Sequence, residues 1–135
     1  MYAAVVKTAN DCANDIRAAG GSMPLMISVQ VETAWGVLGG QGPFVGIDVD
    51  RRDFPFFNML GLSSYPSLGY ADPSQIPNDY YSRLVGSGPA MVTEGGWISQ
   101  TAGSIQSSPD KQALYVSRHA DLLATIDARA WLHLN

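Results

Sequence analysis

Residues 89–100, PAMVTEGGWISQ, set one carboxylate where an apolar run stops. Ala90, Met91 and Val92 read as buried strand, and Thr93-Glu94 ends it. A glutamate held by a rigid strand end can serve as a nucleophile or a general acid/base. Gly95 and Gly96 would let the chain turn sharply and leave room beside the acid. Trp97 then offers a flat indole on which the CH-rich side of a sugar ring packs. Acid, glycines and indole together point to a carbohydrate. The plainer alternative is a solvated glutamate with Trp97 tucked into the core.

A second set lies earlier. Gln30 and Glu32 stand two apart in MPLMISVQVE, so a strand would put both on one face, with Trp35 shortly after. They read as polar lining of the same cleft, or as an ordinary surface strand end. Tyr65-Pro66 closes another apolar run and can hold a phenol over the site, or simply form a turn. The remaining polar groups promise less. Asp48, Asp50, Arg51, Arg52 and Asp53 look like a solvated charge cluster, and His119 has no visible partner on its helix. Ser63 and Ser64 lack the GxSxG elbow of a serine hydrolase. With one cysteine and two histidines, no disulfide, zinc site or thiol pair is supported, and no metal or cofactor is expected. Cys12 reads as a small apolar core residue.

Those residues need elements to hold them. The 135 residues are 46% hydrophobic, which supports a single domain over 1–135 with a real core. Net charge is −4, and the eight Lys and Arg form no basic stripe, so nucleic acid is not an expected partner. Apolar runs fall far short of the ~18–20 residues that span a bilayer, so no membrane insertion is expected. No compartment can be assigned: the first 21 residues do not form a signal peptide. They read instead as an amphipathic helix without a cap, which hints at a missing N-terminal portion.

Along the chain, a helix to about residue 19 ends at Gly20-Gly21. Strands are expected at 23–32, 59–67 and 89–94, with a short helix before the second and another near 77–85 capped by Asn78. The clearest helix runs from Ser108 through about 130, with Pro109 at its first position and Leu114, Val116, Leu122, Leu123 and Ile126 recurring near helical spacing. WLHLN would open a fourth strand. Alternation of this kind predicts an α/β fold with parallel strands and crossover helices. Each strand ends in polar residues, and parallel α/β proteins bind ligands at that edge. No GxGxxG or GxxxxGK[ST] turn is present, and long loops after each strand favour a barrel over an open nucleotide-binding sheet.

In that order, LMISVQVE, LGLSSYPS and PAMVTEGGWIS resemble strands five, six and seven of retaining glycoside hydrolases built on (β/α)8 TIM barrels, in particular the endo-β-1,4-galactanase-like group. The resemblance covers roughly residues 23–100 and implies the C-terminal half of such a barrel, with three to four parallel strands. It implies that Glu94 is the catalytic nucleophile, that Tyr65 and Trp97 contact substrate, and that a carbohydrate is hydrolysed. The family's acid/base glutamate, usually in an Asn-Glu pair on the fourth strand, has no counterpart here, and Glu32 stands on the wrong strand to replace it. A fragment, a separate missing N-terminal half or self-association is therefore expected. The alternatives are a non-catalytic carbohydrate-binding domain using Trp35, Tyr65 and Trp97, and a structural α/β domain.

Overall fold

A computed structural model describes residues 1–38 and 40–134. Helix α1 (Tyr2–Ala18) is followed by Gly20, whose φ of 85° is a left-handed conformation that glycine adopts without strain. Strand β1 (Met26–Gln30), helices α2 (Val31–Ala34) and α3 (Asp48–Asp53), and strand β2 (Met59–Ser64) come next. Two 3-10 turns (Pro66–Leu68 and Pro73–Gln75) and α4 (Ser82–Val85) lead to β3 (Pro89–Gly95). The chain continues through α5 (Pro109–Leu123) to β4 (Asp127–Trp131).

The strands form one sheet in the order β1-β2-β3-β4, and every neighbouring pair is parallel. Parallel strands in chain order need three successive crossovers, and crossovers of one hand lay their connections on one side. Burial follows that rule. Val29, Leu60, Leu62, Ala90 and Val92 form one core with Tyr80, Tyr81, Leu84, Val85, Tyr115 and Leu122. On the other face Met26 and Ser28 are exposed, and Met91 and Thr93 are only partly covered. The molecule is α/β, with a parallel sheet roofed on one side.

Several expectations need correction. The first strand ends at Gln30, because the chain turns directly into α2 and takes Glu32 with it. The last helix stops at Leu123, and the fourth strand begins at Asp127, where it pairs with Pro89. Leu132 and Leu134 continue that ladder by donating to the carbonyls of Val92 and Gly95, while Asn135 lies outside the described residues. The buried stripe of α5 is Tyr115, His119 and Leu122, and Leu114 and Val116 face outward. Only Ser82–Val85 is α-helical within 77–85, and Asn78 accepts from Arg118 instead of capping. Cys12 is exposed, because α1 turns the neighbouring Ala13 inward. As expected, the Ser108 hydroxyl caps α5, accepting from the Lys111 amide at 3.3 Å.

Candidate functional site

Regular alternation along β3 would send Glu94 to the same side as Ala90 and Val92, beneath the helices. The register prevents this. Leu62 pairs with Val92 but Ser63 pairs with Glu94, so Thr93 is one residue more than β2 can match. A bulge of this type re-aims the side chain that follows it. Glu94 thereby joins Ser63 and, one strand further, Gln30 in a row across three strand ends. Thr93 stays on the open face, hydrogen-bonded to the Ser28 hydroxyl at 2.9 Å.

The Glu94 carboxylate is exposed, and its polar partners approach from the end of β2 and the residue after it. Ser63 Oγ donates to Oε1 at 2.7 Å, and the Tyr65 hydroxyl reaches Oε2 at 3.5 Å. Burial, and next the Glu94 charge, push the Tyr65 phenol above its ordinary pKa. Gln30 is half-buried, with its side-chain oxygen 3.2 Å from Ser63 Oγ. The structure brings together Gln30, Ser63, Tyr65 and Glu94. Among these, Ser63 carried no chemical role in the sequence reading, because its role depends on strand register.

Glu32 is not cleft lining. It is 0% exposed, the Tyr80 hydroxyl donates to Oε1 at 2.6 Å, and the Gln30 amide bonds to Oε2. Burial raises its carboxyl above the ordinary range, against the hydrogen bonds from Tyr80 and Gln30. Trp97 does not present a face to a ligand either. At 1% exposure its ring packs near Tyr115, and its Nε1 donates to Ser107 Oγ at 2.9 Å. Trp35 is similarly covered, donating to the Tyr80 carbonyl with the Arg83 guanidinium 5.3 Å from its ring centre. Of the three aromatic platforms expected, Tyr65 alone is partly open.

The glycines also act differently from expectation. A Cβ on Gly95 would lie 2.3 Å from the Ser64 carbonyl oxygen, and one on Gly96 would lie 2.0 Å from that of Leu134. Neighbouring backbone, not substrate, occupies the space they leave, and neither has a positive φ. Behind the row, Ser64 Oγ bonds the Tyr81 hydroxyl at 2.9 Å. Tyr81 and Tyr115 both reach His119 Nδ1, at 3.3 and 2.6 Å, correcting the expectation that this histidine is unpartnered. Among the described residues no cluster of three or more His, Cys, Asp or Glu is placed to hold a metal ion. Among the described residues no helix is long and apolar enough to cross a membrane.

The row thus offers one accessible carboxylate, oriented by a hydroxyl, at the C-terminal ends of the strands of a parallel sheet. No family model, curated protein or solved structure matches the chain significantly.

Proposed function

We propose that the chain is the C-terminal half of a (β/α)8 barrel and that Glu94 is the nucleophile of a retaining glycoside hydrolase. The observation that carries this reading is the bulge at Thr93, which turns Glu94 out of the core and against Ser63 at 2.7 Å. A bulge beside a lone acid at the C-terminal strand edge suits a catalytic position. Glycoside retention needs two carboxyl groups about 5–5.5 Å apart, one attacking the anomeric carbon and one protonating the leaving oxygen. Glu32 is the chain's other glutamate, and it is sealed beneath Tyr80 and Gln30. On this reading the acid/base group, which the family carries on the strand before β1, comes from another half-barrel.

The test avoids the need for that acid. From a 2-deoxy-2-fluoro glycoside, a dinitrophenolate departs without protonation as the Glu94 carboxylate forms its ester bond to the anomeric carbon. The free chain, incubated with a panel of such pentosides and hexosides, is expected to gain the mass of one fluorosugar, mapped to Glu94. Glu94→Gln should reduce the adduct by at least about a hundredfold. No adduct with any sugar, or one indifferent to Glu94→Gln, would overturn the reading.

A further inference from the structure

The Ser63 hydroxyl has one proton and two acceptor-only oxygens before it: Glu94 Oε1 at 2.7 Å and Gln30 Oε1 at 3.2 Å. It cannot satisfy both. A half-turn of the Gln30 amide, which exchanges positions occupied by atoms of nearly equal size, resolves the conflict. Gln30 Nε2 then donates to Ser63 Oγ, and Ser63 gives its proton wholly to Glu94. The Gln30 oxygen now faces Glu32 Oε2, and that pair bonds only if Glu32 bears a proton.

Burial of Glu32 favours the neutral acid. It is 0% exposed, and burying a carboxylate without a countercharge is costly. Hydrogen bonds from the Tyr80 hydroxyl, the backbone at Glu32 and Tyr65 and the Gln30 amide favour the carboxylate, and burial outweighs them. The phenols of Tyr65, Tyr70, Tyr81 and Tyr115 also lie within its electrostatic reach. None of these groups is a cation. The remaining acid of the row, Glu94, lies beyond Gln30 and Ser63 on the open face.

We propose that Glu32 is protonated at neutral pH and, through a turned Gln30 amide, directs the whole hydroxyl proton of Ser63 onto Glu94. Glu32 and Gln30 are then positioning residues, forming a one-way chain of donors that ends on the exposed carboxylate. The glycosidase reading enters only in giving Glu94 a reaction to perform.

Because the chain contains two glutamates, protein labelled with 13C at glutamate Cδ gives two side-chain signals. Glu32→Gln removes one, and Glu94→Gln the other. The Glu32 signal is expected at the protonated position at pH 7, moving only well above the usual value of about 4.3. The Gln30 amide protons should show nuclear Overhauser contacts to the Ser63 β-protons. Glu32→Gln still offers a neutral donor to Gln30 and should keep those contacts, whereas Glu32→Ala should lose them. A Glu32 signal at the carboxylate position at pH 7, or loss of the contacts in Glu32→Gln, would overturn the proposal. Neither readout uses turnover, so failed labelling of Glu94 by fluorosugars leaves this result standing.

Discussion

The contact between Ser63 and Glu94 is the one in the row with a short, charge-assisted geometry, at 2.7 Å. Hydrogen bonds to charged groups contribute roughly 1.5–3 kcal/mol, and here the contribution goes into orienting an exposed side chain. Ser63→Ala should therefore slow fluorosugar labelling of Glu94 by about tenfold and leave the thermal midpoint nearly unchanged. Tyr65→Phe removes a 3.5 Å contact and should change the rate by less than about threefold. Equal slowing by both would show that distance does not rank the two hydroxyls. Gly96 is a residue of the opposite kind, needed by the fold and not by the chemistry. Gly96→Ala places a methyl 2.0 Å from the Leu134 carbonyl and should lower stability by on the order of 1–3 kcal/mol, read by denaturant melts. A melt like wild type would mean the 132–134 segment does not hold against β3.

Strands and helices show how far pattern alone carries. The helix–strand alternation was legible because apolar residues recur at the right periods, and Ser108-Pro109 marked the start of α5. The stop of α5 was not legible: Ala124 through Ala130 contain good helix formers, and pairing of Asp127–Trp131 with β3 overrides that local preference. The bulge was equally hidden, since the identity of Thr93 does not reveal an extra residue against β2. Glu94 could thus be named as a candidate from its neighbours, while the device that exposes it required the register. Buried aromatics misled for a related reason. Trp97 next to glycines resembles a platform until Tyr115 of α5 is laid against it. On the same face of α5, His119 is fully buried, and burial followed by the His133 charge lowers its pKa to about 4. The unfolded chain binds that proton near pH 6.5, so the folded state is favoured above this value and loses the advantage as pH falls toward 4. Glu32, with its raised pKa, gives the opposite slope in parent and variant alike, so the effect is read as a difference. Relative to His119→Gln, urea melts of the parent should lose about 3 kcal/mol across that window. An unchanged slope in the variant would assign the loss to other groups.

At the scale of the molecule, the topology that carries Glu94 to a strand end leaves one sheet face without helices over it. Parallel sheets are stable when both faces are shielded, by helices on each side or by closure on themselves. Here the connections lie over the face bearing Val29, Leu62 and Val92, and the other face carries Met26, Ser28, Met91 and Thr93 to its surface. β1 and β4 each have one unpaired edge, and unpaired edges recruit further strands. Four strands in chain order are half of the eight that close a TIM barrel. Joining β4 of one four-stranded unit to β1 of another, and the reverse, would remove both edges and enclose the row of Gln30, Ser63 and Glu94 at one mouth. Light scattering of the purified chain should therefore report a mass above one chain that grows with concentration. Met26→Lys and Met91→Lys together should shift it toward the monomer, because desolvating two ammonium groups opposes closure of the bare face. These positions lie outside the covered core, so each variant should keep the far-ultraviolet dichroism of the parent. If the parent instead remains a monomer at high concentration and melts in one cooperative step, its open face is stable in water. The half-barrel reading would then fail, even with Glu94 still exposed at the strand edge.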